Sequence, residues 1–510
     1  MASQENQDLG PDLTLGVPLA TFANRKSLSG HVAGESVLLA QVGEDLLAVG
    51  GACTHYSAPL GDGIVVGDTV RCPWHHACFS LRTGEALQAP AFDALSCWKV
   101  EQRGDKVFVT EKLAREAATA PERVTADQPQ RIVIIGGGAA GFAAAEMLRR
   151  RNFAGELTML SADSDAPYDR PNLSKDYLAG TAEEAWIPLR SQKYYAKKGI
   201  DLQLQTLASR IDTGARTVFT ADGSSFPFDR LLIATGAEPI RLPIPGADRA
   251  NVFVLRSLAD SRAIIRGTQK AKAAVILGAG FIGLETAAAL RARGLDVHVV
   301  APDARPLEKV LGPQLGDFIR SLHEQNGVVF HLKTTATRID EQSVTLDSGQ
   351  VVDADLVIVG VGVKPRITLA KEAGLATDRG IVVNENLETS IPGIFAAGDV
   401  AQWQDAATAE TRHVEHWVVA ERHGQRAAEN MLGTPQPFRS VPFFWSAHYD
   451  VSIRYVGYAR SWDDIEIDGN IEKRDCMIGY KKDGKIVAIA AIGRDIQALD
   501  CEVAMAARPS

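Results

Sequence analysis

The stretch from Gly51 to Phe79 reads GACTHYSAPLGDGIVVGDTVRCPWHHACF and contains two pairs of cysteine and histidine. One residue separates Cys53 from His55, two residues separate Cys72 from His75, and sixteen residues lie between the pairs. Cysteine thiolates bind the iron atoms of iron–sulfur clusters. In a Rieske [2Fe–2S] centre, two imidazoles replace two of these thiolates on one iron. The stretch therefore predicts two loops, joined by a hairpin, that place four ligands around one cluster.

Two other interpretations of the same four residues remain. They could form a tetrahedral zinc site with two cysteines and two histidines, or they could be core residues without a metal. Zinc sites usually take both cysteines from one loop and both histidines from another, whereas each pair here contains one of each. The mixed pairs favour the Rieske centre.

The residues around these pairs alternate short apolar runs with Gly and Asp turns, as in SVLLAQV, DLLAVG and KVFVT. This pattern predicts a small antiparallel β domain over residues 10–110, with the cluster loops at one end. Residues 111–130 are rich in Ala, Pro, Gln and charge, and predict a linker that is helical at its start and flexible afterwards.

A dinucleotide-binding pattern follows the linker. The apolar strand Ile132–Ile135 leads directly into Gly136-x-Gly138-x-x-Gly141 and a helical run. Such glycines allow a tight turn and close approach of a pyrophosphate to the helix N-terminus. Asp163 comes 22 residues after the last glycine, a suitable place to bind a ribose hydroxyl. Strand, glycines, helix and acid together predict a nucleotide site.

The same pattern occurs a second time. Strand Val275–Leu277 precedes Gly278-x-Gly280-x-x-Gly283, a helix and a further strand. Two complete patterns predict two different dinucleotides, although a second fold that binds nothing remains an alternative.

The nicotinamide preference is open from the sequence. The second strand of the second fold ends at Ala301, and Asp303 follows two residues later, where an NAD-binding acid is expected. Arg305 is close enough in sequence to meet a 2′-phosphate instead. NADH is slightly favoured over NADPH.

Composition restricts the functional class. A chain of 510 residues predicts three or four domains, and a net charge of −9 argues against sequence-independent binding of nucleic acid. Six cysteines do not form a disulfide framework, which favours a reducing compartment. The first twenty residues show no signal peptide, and no run of 18 apolar residues predicts a membrane span. We expect a cytoplasmic protein.

From Arg131 onward the chain resembles the flavoprotein ferredoxin reductases of bacterial oxygenase systems. The resemblance rests on the segments GGGAAG, APYDRPNLSK, LLIATGAEP, GAGFIGLE, VIVGVGVKP, IFAAGDVA and VEHWVVAERHGQRAA. The motifs CTHYSAPLGDG and CPWHHACF resemble ferredoxin-type Rieske domains, which usually have glycine where this chain has His76. We expect His76 to be a bystander of the cluster. The complete order of domains, with the Rieske domain first, is similar to that of apoptosis-inducing-factor-like proteins.

The resemblance implies a multidomain architecture: an N-terminal all-β Rieske domain, two α/β Rossmann-type domains and a small C-terminal α+β domain. The implied bounds are 10–110 for the Rieske domain, 111–130 for the linker, 131–248 with 370–437 for the FAD domain, 249–369 for the NAD(P) domain and 438–510 for the C-terminal domain.

The resemblance also implies roles for single residues. Lys175 and Glu285 would be catalytic, with Glu285 close to the nicotinamide and the flavin and paired with Lys175. Arg170 would reach the pyrophosphate, and Asp399 would bind the ribityl chain. The implied FAD contacts are Gly136, Gly138, Ala139, Ala140, Gly141, Asp163, Arg170, Lys175, Gly236, Asp399, Trp417 and Trp445. The implied NAD(P)H contacts are Gly278, Gly280, Gly283 and Glu285. Core packing remains an alternative for Trp445, and a surface position on a helix remains one for Glu285.

Electrons would pass from NADH or NADPH through FAD to the chain's own Rieske cluster, and then to an unknown protein or small-molecule acceptor. Residues 142–200 contain no cysteine, so the C-x4-C pair of disulfide reductases is missing from this chain. Two alternatives remain: an NAD(P)H oxidase or quinone or small-molecule reductase, and a redox-responsive interaction protein. We expect a monomer or a homodimer.

Overall fold

The computed structural model describes residues 10–114, 128–405, 408 and 410–507, which fall into two compact units. The first unit takes its described residues from Met1–Ala126, Glu146–Phe153 and Arg494–Pro509. The second takes them from Asp127–Ala145 and Ala154–Gly493.

The first unit contains two antiparallel sheets. In the six-stranded sheet, neighbouring strands are Val17–Pro18, Lys106–Lys112, Cys97–Arg103, Asp45–Gly50, Glu35–Val42 and Ser27–Val32. The four-stranded sheet consists of Ile64–Val66, Thr69–Arg71, Cys78–Ser80 and Ala86–Gln88. Side chains alternate between faces of a strand, so Val37 and Leu39 enter one apolar core while Leu38 and Ala40 enter the other. The predicted antiparallel β domain is confirmed.

The prediction that the linker begins with a helix is wrong for its first two residues. The last strand of the six-stranded sheet continues to Lys112, so residues 111 and 112 are extended and not helical. Lys112 pairs in register with Trp98, and its Nζ donates to Glu35 over 2.5 Å. These contacts with the sheet outweigh the local helical preference of the sequence. Residues 115–127 of the predicted linker lie outside the described residues.

The second unit contains two five-stranded parallel sheets, one for each glycine pattern. The order of the first is Asp201–Gln203, Glu156–Leu160, Arg131–Ile135, Arg230–Ile233 and Ile394–Ala396. The order of the second is Val252–Val254, Leu356–Val359, Ala273–Leu277, Asp296–Ala301 and Val328–Leu332. In both, the strand that precedes the glycines lies in the centre. Both faces of such a sheet are covered, which explains the continuous apolar runs Ile132–Ile135 and Val275–Leu277.

Smaller sheets and a five-stranded C-terminal sheet complete the second unit. In the smaller sheets, Ile381–Val383 pairs in parallel with Ala401–Gln404, and the other pairs are antiparallel. The C-terminal sheet has the order Phe443–His448, Val451–Gly457, Lys485–Ile492, Asp475–Lys482 and Asp464–Asn470. The other strands are Ala208–Asp212, Thr217–Thr220, Ser225–Pro227, Ala237–Pro239, Ala336–Ile339, Ser343–Leu346, Val351–Asp353, Val363–Pro365, Ile381–Val383, Ala401–Gln404 and Thr411–Arg412.

The helices of the described residues vary in length. The α-helices are Ala139–Arg150, Asp176–Ala179, Gln192–Lys197, Leu258–Thr268, Phe281–Ala292, Glu308–Gln325, Thr368–Glu372, Trp417–Met431 and Asp495–Ala506. The 3-10 helices are Leu13–Leu15, Leu19–Ala23, Leu60–Asp62, Pro171–Ser174, Glu184–Trp186 and Gly398–Val400. Within the ranges that the structure describes, no helix is long and apolar enough to cross a membrane.

Candidate cluster and dinucleotide sites

The two predicted cluster loops have the same backbone arrangement. The N–H of Cys53 donates to the carbonyl of Ala58, and the N–H of Cys72 donates to the carbonyl of Ala77, both over 2.8 Å. A short antiparallel hairpin formed by Ile64–Val66 and Thr69–Arg71 joins the loops, as the sequence predicted. Each cysteine therefore starts a loop that is closed five residues later.

The fourth residue after each cysteine has a left-handed backbone. Ser57 has a φ of 58°, and His76 has a φ of 60°. Few residues other than glycine adopt this region at low cost, which accounts for the glycine expected in place of His76. The His76 side chain is fully buried and its Nδ1 is in contact with a carboxylate oxygen of Glu502, which belongs to the same unit.

The four predicted ligands are brought together in the order that a Rieske centre needs. The thiols of Cys53 and Cys72 are hydrogen-bonded, and this bond, together with burial, raises the pKa of Cys53. The rings of His55 and His75 are 5.0 Å apart and nearly perpendicular. Cysteine lies beside cysteine and histidine beside histidine, as required when one iron takes two thiolates and the other two imidazoles.

His55 also fits an iron ligand by its own surroundings. Its Nδ1 is buried without a hydrogen-bond partner among the described residues, and burial lowers the pKa of this imidazole to about 4. A neutral imidazole with an available nitrogen is the form that binds metal. Cys53, His55, Cys72 and His75 therefore fit a [2Fe–2S] cluster, and each would supply one bond to iron.

In the second unit, both glycine loops adopt the geometry of dinucleotide sites. Gly136 has a φ of 121° and Gly278 a φ of 113°. A Cβ atom would lie 2.1 Å from the Ala234 carbonyl oxygen at Gly136, and 2.3 Å from the Gly360 carbonyl oxygen at Gly278. Any side chain at these two positions would force the strands apart, so both loops need glycine for conformation and for space.

Both loops open into one cleft of about 2070 Å³. This is larger than the ~300–1,000 Å³ of ordinary ligand pockets, so the cleft has room for more than one extended ligand. Its lining includes every predicted nucleotide residue except Gly141: Gly136, Gly138, Ala139, Ala140, Asp163, Arg170, Lys175, Gly236, Gly278, Gly280, Gly283, Glu285, Asp399, Trp417 and Trp445. Gly141 is next to the lining, where its Cβ would meet the Gly136 carbonyl oxygen at 1.9 Å.

The predicted pairing of Lys175 with Glu285 is confirmed. Lys175 Nζ donates to Glu285 Oε2 over 2.7 Å, and Ser174 Oγ donates to the same oxygen over 2.6 Å. Glu285 is buried, so its predicted alternative as a surface acid of its helix is wrong. The pair places a fixed positive and a fixed negative charge at the wall of the cleft.

A second charged group lies around Asp399. Its carboxylate accepts from Arg256 Nη2 over 2.6 Å, and its carbonyl oxygen is 2.7 Å from His413 Nε2. Burial alone would raise the pKa of Asp399, but the Arg256 guanidinium, with Arg170 and His413, holds the pKa below its usual value. Arg170 Nε donates to the Arg256 carbonyl over 3.1 Å, so both arginines are held at this wall.

The remaining predicted cleft residues have the following contacts. The guanidinium of Arg170 lies 5.9 Å from the ring centroid of Trp417. Trp445 stacks on Phe443 with centroids 6.3 Å apart. The Asp163 carboxylate accepts from Tyr168 Oη over 2.6 Å. The contacts of these residues with ribose or flavin stay predictions.

Asp303 and Arg305 have different surroundings in the fold. Asp303 lines the cleft, and its carboxylate forms an ion pair with Lys309, whose Nζ lies 2.7 Å from Asp303 Oδ1. Arg305 is held by the carboxylates of Asp317 and Glu308, at 2.8 Å and 3.1 Å.

Sequence reasoning missed Arg256 and Glu415. Arg256 has no motif of its own, and only the fold brings it to Asp399. Glu415 lines the cleft next to His416, and burial with repulsion from Asp399, opposed by Arg256, raises the pKa of Glu415 to about 7. Glu415 could have been found, because it belongs to the VEHW segment that carried the resemblance.

The cleft residues fit FAD. A Cβ on Gly138 would lie 3.5 Å from the Arg170 guanidinium, so a donor group and the first N–H groups of helix Ala139–Arg150 are available to one pyrophosphate. The second loop also presents the first N–H groups of a helix, Phe281–Ala292, and nothing lies within 4 Å of a Cβ on Gly280, so a pyrophosphate has room there.

Three family models match the chain. The pyridine nucleotide-disulphide oxidoreductase model matches residues 130–424, the Rieske [2Fe–2S] domain model residues 17–99, and the reductase C-terminal model residues 443–509. The first match alone covers more than half of the chain.

Known proteins show the same likeness. Human apoptosis-inducing factor 3 is 31% identical over 478 residues, which cover 90% of this chain and 78% of that protein. The ferredoxin–NAD(+) reductase component of the anthranilate 1,2-dioxygenase system of Burkholderia cepacia is 35% identical, covering 74% of this chain and 95% of that one. The crystal structure of the covalent putidaredoxin reductase–putidaredoxin complex matches with a TM-score of 0.72 and 30% identity, over 74% of this chain and 93% of that one.

The two glycine loops, the shared cleft and the four predicted cluster ligands agree with these matches. The chain therefore belongs to the pyridine nucleotide-disulphide oxidoreductase family, as a ferredoxin reductase-type NAD(P)H–FAD oxidoreductase that carries a Rieske [2Fe–2S] domain.

Proposed function

We propose that this protein passes electrons from NADH through FAD to its own Rieske cluster, and from there to an external ferredoxin-type acceptor. The observation that carries the proposal is the single cleft shared by both glycine loops, with the Lys175–Glu285 pair in its wall. When bound, FAD accepts a hydride and gives up electrons one at a time, which suits a cluster that takes single electrons.

The chain's own residues would hold and orient the reactants. The loops at Gly136 and Gly278 would bind one pyrophosphate each, with Arg170 adding positive charge at the first. Asp399, fixed by Arg256, would accept a hydrogen bond from the ribityl chain. Lys175, fixed by Glu285, would lie beside the reacting rings. Such positioning supplies much of the catalysis of a hydride transfer.

We propose NADH rather than NADPH as the donor. Asp303 lines the cleft, and a carboxylate there would accept from ribose hydroxyls and repel a 2′-phosphate. Arg305, the residue that could bind that phosphate, is already paired with Asp317 and Glu308. The Asp303→Ala variant tests this, because removing the carboxylate should raise kcat/KM for NADPH relative to NADH, while Glu324→Ala, which breaks only the exposed pair with Arg320, should leave the ratio unchanged.

A ferredoxin-type acceptor is supported by the relatives. The reductases from Burkholderia cepacia and Photorhabdus laumondii are both named as ferredoxin–NAD(+) reductase components of dioxygenase systems. This chain differs in carrying a Rieske domain, which places a one-electron carrier in the same chain at high effective concentration.

Steady-state assays separate this function from its alternatives. Wild-type protein with NADH and a ferredoxin should show activity that is lost in Cys53→Ser. If Cys53→Ser keeps full activity and oxygen or a quinone is the best acceptor, the protein is an oxidase or quinone reductase. If turnover is negligible with all acceptors and NADH changes only the assembly state, a redox-responsive interaction protein is supported instead.

The cellular compartment and the oligomeric state of the protein are part of the proposal. We propose a cytoplasmic protein, supported by a low cysteine content of six in 510 residues. A monomer or a homodimer remains the expected assembly, which sedimentation of the holoprotein would determine.

A further inference from the structure

A line of buried polar side chains begins at Glu285. The two oxygens of this carboxylate have different partners: Oε2 accepts from Lys175 Nζ and Ser174 Oγ, whereas Oε1 accepts from Ser446 Oγ over 2.6 Å. Ser446 lies on strand Phe443–His448 of the C-terminal sheet and is fully buried. The carboxylate is therefore connected both to the cleft and to the interior of the C-terminal sheet.

The line continues through two histidines. Ser446 Oγ is 3.1 Å from His448 Nε2, and His448 Nδ1 is 3.1 Å from His323 Nε2. His323 Nδ1 is 3.5 Å from the hydroxyl of Tyr449. Both histidines are fully buried, whereas Tyr449 is only partly buried. We call Glu285, Ser446, His448, His323 and Tyr449 the relay.

The direction of every hydrogen bond in the relay follows from the carboxylate. A carboxylate only accepts, so Ser446 Oγ donates to Glu285 and in turn accepts from Nε2–H of His448. Nδ1 of this neutral imidazole then accepts from Nε2–H of His323, whose Nδ1 accepts from Tyr449. Burial lowers the pKa of both histidines to about 3, with Lys175 adding to the effect on His448 and His448 to that on His323.

We propose that the relay conducts the proton that NADH oxidation releases, from Glu285 at the cleft to Tyr449 at the edge of the C-terminal sheet. A proton that arrives on Glu285 turns this carboxylate into a donor to Ser446 Oγ. The outward transfer then runs from Ser446 Oγ to His448 Nε2, from His448 Nδ1 to His323 Nε2 and from His323 Nδ1 to Tyr449, which releases its own proton to solvent. Both imidazoles change to the Nδ1–H tautomer before this transfer, and the transfer restores the resting Nε2–H tautomers. Ser446, His448 and His323 act through Glu285 and are positioning residues, while Glu285 is the group that meets the reactants.

The balance of the reaction releases one proton at the cleft. NADH yields NAD⁺, two electrons and one proton, and acceptors that take single electrons carry away no proton. With ferricyanide as the acceptor, NADH and two ferricyanide ions give NAD⁺, two ferrocyanide ions and one proton. That proton must leave a cleft wall where Glu285 is buried. This inference rests on the proposed NADH oxidation.

A second histidine pair in the same unit provides a matched control. His298 Nδ1 and His331 Nε2 are 3.0 Å apart on the neighbouring strands Asp296–Ala301 and Val328–Leu332. His331 is bonded to Gln350, not to the carboxylate at the cleft. His331→Gln therefore disrupts a histidine pair with a similar nitrogen–nitrogen distance, whose rings are stacked instead of edge-on, without touching the relay.

The first test needs no turnover. Nitrogen NMR of the oxidised holoprotein with labelled histidine should show His323 and His448 as neutral Nε2–H tautomers, assigned with His323→Gln and His448→Gln. An Nδ1–H tautomer or a charged imidazolium at either position would overturn the proposal. Since this measurement uses the resting protein, its outcome does not depend on the proposed NADH oxidation.

The second test follows the proton itself. In a stopped-flow single turnover with NADH, ferricyanide and a pH indicator, proton release in Ser446→Ala and His448→Gln should be slower than in wild type by about tenfold or more. A larger solvent deuterium isotope effect should accompany it, with unchanged affinity for NAD⁺ and wild-type behaviour of His331→Gln. Proton release at the wild-type rate in a folded Ser446→Ala or His448→Gln variant would refute the relay. Failure of wild type to reduce ferricyanide would instead refute the proposed function.

Discussion

The Nζ atom of Lys175 lies 2.7 Å from Oε2 of Glu285, and the two residues are 110 positions apart in the sequence. Lys175 follows the 3-10 helix Pro171–Ser174, whereas Glu285 is in the helix that opens at the second glycine loop. The pair therefore joins the two dinucleotide folds at the cleft that they share.

Glu285→Gln should destabilise the second unit by about 3 kcal/mol, because it leaves Lys175 partly buried without its counter-charge. Urea unfolding of the holoprotein would measure this loss. Glu324→Gln is the control, because it breaks the exposed pair with Arg320, which should cost less than about 1 kcal/mol. Equal losses in the two variants would contradict the buried role of the Lys175–Glu285 pair.

Cys53→Ser should remove the cluster, because serine does not replace a thiolate ligand of iron well. Iron and acid-labile sulfide would fall toward zero in the purified protein, while flavin content would stay the same. Cys78→Ser is the matched control, since Cys78 is also buried but belongs to the strand after the second loop and not to the predicted ligands. Loss of iron in the control alone would contradict the ligand assignment.

The left-handed backbone of His76 predicts a contrast between two substitutions. His76→Gly should keep the loop, because glycine adopts a φ of 60° without strain. His76→Val should strain it by about 1–2 kcal/mol, since a β-branched residue disfavours this region. The rate of cluster loss on mild heating, followed by absorbance, should be faster for His76→Val than for His76→Gly. Equal rates would show that the backbone of this loop is not under such a constraint.

Much of the site could be predicted because its motifs are local. The two cluster loops and the two glycine loops are short segments in which spacing determines geometry, and the fold places them as expected. Local sequence failed at two positions. The composition after residue 110 predicts a helix, but pairing with the sheet keeps the chain extended to Lys112. The contact of His76 with Glu502 could not be predicted from the residues around His76.

The relay and the Arg256–Asp399 pair could not have been predicted. His323 and His448 are 125 positions apart, and Arg256 and Asp399 are 143 apart. No motif records such pairs, because only the packing of helix Glu308–Gln325 and strand Phe443–His448 brings the histidines together.

The buried histidines predict a loss of stability in acid. His323 and His448 have a pKa of about 3 in the fold, whereas an unfolded histidine has a pKa near 6.5. The contribution of these neutral imidazoles to the free energy of unfolding is therefore fully present above pH 6.5. It falls as the pH drops from 6.5 toward 3, by about 1 kcal/mol for each histidine and each pH unit, because only the unfolded chain takes up these protons. Urea unfolding between pH 7.5 and 5.5 measures the slope.

His448→Gln tests the origin of that slope. The variant removes one of these imidazoles, so its stability should depend less steeply on pH than that of wild type, by about one proton. His331→Gln should change the slope less, because His331 is only partly buried. An unchanged slope in His448→Gln would contradict the neutral, buried state of this imidazole.

We propose that electrons from NADH reach the Rieske cluster through FAD within this chain. An anaerobic addition of NADH to the holoprotein, followed by flavin absorbance and by the EPR spectrum of the cluster, tests it most directly. We predict that the flavin absorbance falls and that a rhombic signal of the reduced cluster grows within the same turnover. A flavin that becomes reduced while the cluster stays oxidised would contradict this route for the electrons.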